Sequence, residues 1–404
     1  MRELLTVEEY QAELLALVEP EPRTESVPLD SATGRVLAAE VHSPISVPVF
    51  ANSAMDGYAV RYADVAEAPA PLRVVGDVPA GSAADPMAGE RECVRIMTGA
   101  ALPTFADTVV PVEDTDGGTE VVTVRRTPAR VGAHVRLAGE DFERGARIAA
   151  PGTTLTPAML GALAAVGLTE VVVRPRPVVA ICATGDELVT DGSPLRRGQI
   201  HESNSVLLAA ALVRDGAAAV RAEPVRDRVE ELTDWLAQAA GTSDLVVLTG
   251  GASVGTYDVV RDVLTDRAGG VFRHVRMQPG KPQGWAVWPG GAPVVALPGN
   301  PVSAALSYEV FVRPMLDRIL GRAGIEPGCA VAAVGWSSPA GRRQLAPVRL
   351  SSDSEGRLQA QPAHRRGSAS HLVTSLAEAD GFAIVAEEVT EVAPGDVLPV
   401  RWLR

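Results

Sequence analysis

Glu187 and Asp258 each stand just after a short apolar run, in the loops TGDE and GASVGTYD. Two carboxylates beyond neighbouring strand ends can hold Mg²⁺, which prefers oxygen ligands and substrate phosphates. Solvated loop acids would look the same. These two loops and a third, LPGNPVS, carry Thr184, Gly185, Gly250, Gly251, Ser253, Gly255, Pro298, Gly299, Asn300, Pro301 and Ser303. Backbone amides at Gly-rich turns and helix starts suit phosphate and other oxyanions. Glycine after a strand also serves plain turn geometry, but three such loops in one segment point to a phosphate-bearing ligand. In the third loop, Asn300 as a helix N-cap and Pro301 in the first turn explain much of the motif on structural grounds. Asp227, three residues before Glu230, reads as a capping residue.

Of the 37 basic residues, Lys281 in QPGKPQG is the only lysine. A compact ammonium binds phosphate as a point charge, unlike the guanidinium fork. Lys281 is therefore a candidate ligand contact, although one lysine surviving in an arginine-rich composition gives the same count. FANSAMDGYAVR (50–61) sets Asn, Ser and Asp56 among apolar and aromatic residues. A buried turn at Asp56-Gly57 also fits it.

The elements that must carry these residues follow from periodicity. Residues 4–18 repeat apolar positions at helical spacing, and Thr6 with Glu9 forms a capping box. From about 27 to 175 the texture is short β runs broken by Gly, Pro and Asp, with one helix in TPAMLGALAAVG, where Pro157 suits the first turn. Over 177–321 strands and helices alternate: VVAICA, SVLLAAALVRDG with Asn204 near its cap, AAAVRAEPV, RVEELTDWLAQAAG, LVVLTG, a helix from near Tyr257, a hairpin around Lys281, VVALP, and one long helix through NPVSAALSYEVFVRPMLDRIL. Such βα units predict an open, mostly parallel sheet, with ligands beyond its carboxyl strand ends. Short β runs from 326 to 404 predict a small β domain.

Composition narrows the setting. With 46% hydrophobic and 22% charged residues the chain is globular, and its net charge of −13 disfavours non-specific binding to nucleic acid or anionic membrane. Cys93, Cys182 and Cys329 are too few and too scattered for a zinc cluster or disulfide framework. The acidic, helical N-terminus is no signal peptide, and no apolar run spans a bilayer. A cytoplasmic protein without nucleic-acid or membrane partners is expected.

NSAMDGYAVR, RIMTGA, GEDF, ATGDEL, TGGASVG with Asp258, PGKP and LPGNPVSA stand in the order seen in MoeA-type molybdenum insertases, and the chain resembles that family over nearly its whole length. The E domain of gephyrin is similar. The resemblance implies a multidomain α/β plus β protein: a connecting domain in two parts (1–44 and 142–176), a β-rich inserted domain (45–141), a molybdopterin-binding-like α/β domain (177–325) and a C-terminal β domain (326–404). It further implies a homodimer in which SAMDGYA completes the partner's active site. The substrates would be adenylyl-molybdopterin and molybdate, with Mg²⁺ assisting and AMP released. Residues matching the family's functional positions are Asp56, Thr98, Asp141, Glu187, Asp227, Asp258 and Ser370. A molybdopterin adenylyltransferase and molybdoenzyme apoproteins are the further partners it implies.

Two positions depart from the family. Gln278 and His274 stand where lysine is common, leaving Arg273, Arg276 and Lys281 to supply charge, and the tail-domain arginine is represented by Arg342, Arg343 or Arg349 at shifted positions. Two alternatives accompany the insertase reading: a molybdopterin adenylyltransferase, which the α/β domain alone would fit, and a silent scaffold paralogue.

Overall fold

The computed structural model describes residues 4–251, 258–364 and 369–403. Helix α1 (Val7–Leu15) starts at the expected capping box: Thr6 Oγ1 accepts the Glu9 N–H (3.1 Å), and the Glu9 carboxylate accepts the Thr6 N–H (2.7 Å). Its apolar face does not join the β-rich segment that follows it in sequence. Tyr10 and Leu14 are wholly buried in the core of the α/β domain, where the Tyr10 ring meets Phe311 edge-on at 4.9 Å. Burial of such side chains stabilises by about 1.5–3 kcal/mol each.

Two antiparallel pairs connect the next segments. Glu25–Pro28 pairs with Glu170–Val173, and Val41–His42 pairs with Arg147–Ala149. Helix α2 (Pro157–Ala165) begins at Pro157, with Thr156 Oγ1 accepting the Met159 N–H. Between these pairs lies a five-stranded sheet, in the order Thr108–Pro111, Gly57–Val60, Glu92–Ile96, Ala70–Val78 and Val121–Val124. The strand following SAMD is second in this order, flanked on both sides, and fully buried.

The α/β domain holds a six-stranded sheet. Its order is Ala218–Arg221, Val178–Ala183, Leu245–Thr249, Pro293–Leu297, Pro282–Val287 and Val271–His274. The first four strands are parallel, and Pro282–Val287 runs antiparallel to both its neighbours, so that Val271–His274 points the same way as the first four. This is the open, mostly parallel sheet that the strand–helix alternation predicts. Helices α3 (Asn204–Arg214), α4 (Val229–Thr242) and α5 (Val259–Ala268) follow its strands.

The expected long helix after VVALP is interrupted. It forms α6 (Pro301–Ser307), a π-helical turn at Tyr308–Val312, and α7 (Arg313–Leu320). Pro314 explains the need for outside help here, because it has no N–H to offer Val310 at α spacing or Glu309 at π spacing. Gln11 Nε2 donates instead to the Val310 carbonyl (2.9 Å), and Arg401 Nη1 to that of Glu309 (3.2 Å). Helix α1 and the last strand of the chain thus complete a break in a helix of the middle domain.

The tail closes on itself. Arg343–Ser352 pairs with both Leu358–Pro362 and Gly381–Val385, and the ring returns through Gly328–Ala332 and Val397–Trp402. A short strand from the α/β domain, Met277–Gln278, adds to it in parallel beside Arg343 and Gln344. The segment carrying Lys281 is therefore held from two domains. Among the described residues, no helix is long and apolar enough to cross a membrane.

Candidate active site at the carboxyl ends of the parallel strands

Three loops meet where the parallel strands end. Gly250 has φ +100°, and a Cβ there would lie 2.7 Å from the Thr184 carbonyl oxygen and 2.8 Å from Thr184 Oγ1. Gly299 packs on the other side, where a Cβ would stand 3.4 Å from Gly250 Cα. At Gly250 both the backbone conformation and the approach to Thr184 require glycine, whereas at Gly299 a Cβ would make ordinary contact. Asn204 ties the cluster: its Nδ2 donates to Thr249 Oγ1 (2.9 Å) and to the Gly299 carbonyl (2.7 Å). Asn204 thus opens α3 as a cross-brace and leaves the N-cap position to Ser203. Its partners lie far along the chain, so local spacing gave no sign of this role.

The acids line the same crevice. Asp258 is 6% exposed; one oxygen caps α5 by accepting the Arg261 N–H (3.1 Å), while Oδ2 is buried without a partner among the described residues. Burial pushes its carboxyl above the ordinary aspartate range, and the charges of Asp262 and Asp227 add to this. Asp227 is raised as well, by desolvation first and then by Asp186 and Glu187. Glu187 folds back over Gly185, where a Cβ would lie 2.5 Å from Oε2. Asp227 does not cap α4: Arg228 holds that position, and the Asp227 N–H turns toward Asp186 Oδ1 (3.4 Å). The bridge between Thr184 and Val225 draws this segment along the crevice and away from the helix axis. Sequence reading missed Asp186, whose signal was only its place beside Glu187 in TGDE.

Burial pushes the Cys182 thiol in the strand beneath up to about 12, so it supplies no thiolate. Among the described residues, no three acid, His or Cys side chains already converge as a metal cage. The unpartnered Asp258 oxygen and the mutual repulsion of Asp227, Asp186 and Glu187 nevertheless suit an oxygen-seeking cation.

At the third loop, Asn300 occupies the N-cap of α6 without a side-chain bond, and Pro301 opens the helix. The Val302 N–H donates to the Ser370 carbonyl (3.1 Å), bringing the tail against this helix start. Pro298 accepts from Thr249 Oγ1 (3.4 Å), and Ser303 is buried. Ser253 and Gly255 lie outside the described residues.

Of the cations nearby, Arg273 pairs with Glu13 (3.1 Å) and Arg276 donates to the Leu4 carbonyl. Lys281 has no side-chain partner among the described residues, and Arg342 Nη1 donates to Gln278 Oε1 (3.1 Å). Arg343 is held by Glu8 and Glu387, and Arg349 by Glu378. Arg342 is thus the tail arginine that turns toward the Gln278–Lys281 segment.

Asp56 and Thr98 meet each other, and among the described residues they make no hydrogen bond to the α/β loops of the same chain. Asp56 Oδ1 accepts both the Thr98 N–H (2.7 Å) and Oγ1–H (2.8 Å), which holds its carboxyl below the usual range. Asp141 is exposed, its N–H bonded to the Val47 carbonyl.

An open α/β sheet with amide-rich loops and acids beyond its strand ends defines a ligand-binding α/β domain. Residues 180–318 match the model of a probable molybdopterin binding domain, residues 5–167 that of the MoeA N-terminal region (domain I and II), and residues 329–403 that of the MoeA C-terminal region (domain IV). A Mycobacterium tuberculosis protein named molybdopterin molybdenumtransferase 2 is 43% identical over 387 residues, covering 93% of this chain and 94% of the relative. The molybdopterin molybdenumtransferase of Haemophilus influenzae is 30% identical over 98% of both chains. Two crystal structures of the molybdopterin biosynthesis MoeA protein from Pyrococcus horikoshii superpose with TM-scores of 0.78 and 0.83. The first is 33% identical and covers 100% of both chains; the second is 25% identical and covers 98% of this chain and 99% of that one. The chain belongs to the MoeA family.

Proposed function

We propose that this chain is a molybdenum insertase: it joins molybdate to the dithiolate of adenylyl-molybdopterin and releases AMP. The observation that carries the reading is the convergence of the loops at Thr184, Gly250 and Gly299 beside the buried Asp258 oxygen that has no partner among the described residues. The relatives matched along nearly the whole chain are named as molybdenum transferases, which favours insertion over adenylylation.

The residues divide the work by chemistry. Amides of the glycine loops suit the phosphates of the substrate. Asp258, Glu187 and Asp227 would hold Mg²⁺, which when bound offsets charge on the phosphoanhydride as AMP leaves. Lys281, with Arg342 turned toward its segment, offers cationic donors to molybdate. The Asp56–Thr98 pair, which has no bond to the crevice of its own chain among the described residues, suits completion of a partner's site in a homodimer.

Purified protein given adenylyl-molybdopterin, Mg²⁺ and molybdate should release AMP and form molybdenum cofactor, each dependent on molybdate. Consumption of ATP with free molybdopterin, and no AMP release in the first assay, would overturn the proposal in favour of adenylylation. Silence in both assays from folded protein would mark a scaffold.

A further inference from the structure

Away from the crevice, a cavity of about 360 Å³ opens where α1, α7, the linker after Gly321 and the last strand meet. Four arginines line it, Arg313, Arg318, Arg322 and Arg401, against two acids, Asp317 and Glu326. Three of the arginines are already paired. Arg313 binds Glu309 (2.8 Å), Arg322 binds Asp317 (2.5 Å), and Arg318 binds the Val18 carbonyl (2.7 Å) and Glu19 (3.3 Å).

Arg401 is different. Its Nη1 donates to the Glu309 carbonyl, and among the described residues it has no carboxylate within ion-pair distance. Its Nε is shielded from water without an acceptor, and Nη2 has no partner among the described residues. Nη2 is therefore the donor left to an oxyanion in the cavity, and a small turn of the side chain would bring Nε alongside it for two parallel bonds. Burial and then the positive charge of Arg313 disfavour its charged form, while Glu309, Asp317 and Glu326 favour it from beyond ion-pair distance. Among the described residues no carboxylate touches this half-buried guanidinium, so a directly bound anion would be favoured there.

We propose that this cavity is a second ligand site, taking a small metabolite that carries a phosphate group and binding it through Arg401. The cavity volume is in the range of small-ligand sites and exceeds what a lone phosphate fills. Leu15, Pro314 and Ile325 supply an apolar wall for the ligand's carbon body. The site joins three parts of the chain, so its occupant ties the tail barrel to the α/β domain.

Calorimetric titration with inorganic phosphate, and separately with phosphoglycolate, at chloride-matched ionic strength tests this. Wild type should bind both saturably, phosphoglycolate more tightly. Arg401→Gln should weaken both at least tenfold, whereas Lys281→Ala, in the other site, should leave this binding in place. If Arg401→Gln fails to fold, Arg318→Gln, whose side chain is more exposed, should weaken phosphoglycolate severalfold instead. Tighter binding of phosphate than phosphoglycolate would point to a free anion site and overturn the metabolite assignment. No saturable binding in wild type, or equal binding by folded Arg401→Gln, would overturn the proposal altogether, whatever the outcome of the insertase assay.

Discussion

One oxygen of Asp56 receives both the amide and the hydroxyl of Thr98, leaving Oδ2 with no partner among the described residues. The residues are 42 positions apart, and the β-rich sheet brings them together at its margin. This arrangement presents a fixed, ionised carboxylate outward from a domain that lacks the glycine loops.

If that carboxylate serves a partner's crevice, mixed dimers should report it. An Asp56→Ala chain and an Asp258→Ala chain should each be inactive alone. Heterodimers of the two should recover part of the wild-type rate of AMP release, because one of their two sites is then intact. No recovery in verified heterodimers would mean that each chain works alone.

Asp258 caps a helix with one oxygen, and its other oxygen has no partner among the described residues, so cap and charge can be separated. Asn caps as well as Asp, so Asp258→Asn should fold normally and lose at least about tenfold in turnover, or roughly 1.4 kcal/mol of transition-state stabilisation. The pH dependence has a definite sign. Asp258 and Asp227 have raised folded-state pKa values, so both favour the fold when protonated. That stability is lost as pH rises from the ordinary aspartate range through the raised values. Mg²⁺ opposes the loss by binding the ionised form. Its stabilising effect, read as a rise in Tm, should be larger at pH 7.5 than at about pH 4, in the ordinary aspartate range, and Asp258→Asn should shrink that difference. Equal effects at both pH values would exclude these acids as the Mg²⁺ site.

Lys281 stands among cations that are otherwise engaged. Losing one charge-assisted bond removes about 1.5–3 kcal/mol, so Lys281→Ala should weaken molybdate or adenylyl-molybdopterin binding tenfold or more. Lys281→Arg should restore it only in part, since a fork replaces a point charge. Unchanged affinity for both ligands in Lys281→Ala would leave the lysine as a turn residue beside Pro282.

Gly250 is fixed by its φ of +100° and by the Thr184 carbonyl 2.7 Å from where a Cβ would stand. Gly250→Ala should destabilise by about 1–3 kcal/mol, seen as a lower urea midpoint, and should impair ligand binding. Gly241→Ala, in α4 with open space around its Cβ position, should be neutral or stabilising by up to about 1 kcal/mol. Equal midpoints for the two variants would show that the crowding at Gly250 is relieved without strain.

Local spacing carried much of this molecule. The Thr6–Glu9 box, the strand VVAICA and the glycine loops are short-range patterns, and the helix start and the parallel sheet follow from them. What spacing could not reveal depends on distant partners. Asn204 reads as a cap until Thr249 and Gly299 arrive, and Asp227 reads as a cap until the strand ends draw it toward Asp186. The interrupted helix had a local cue in Pro314, but the carbonyls it strands are satisfied by Gln11 and Arg401, from opposite ends of the sequence.

The docking of α1 onto the α/β core also bears on how the chain is made. Tyr10 leaves the ribosome early, while Phe311, its packing partner, is translated only after the β-rich and parallel-sheet segments. Until then the first helix has an apolar face and nothing to cover it, a situation that favours capture by chaperones or by other nascent chains. The same topology means that a polypeptide begun at residue 177 would expose the groove that Tyr10 and Leu14 fill. The middle domain is therefore complete only when the first fifteen residues of the chain come with it.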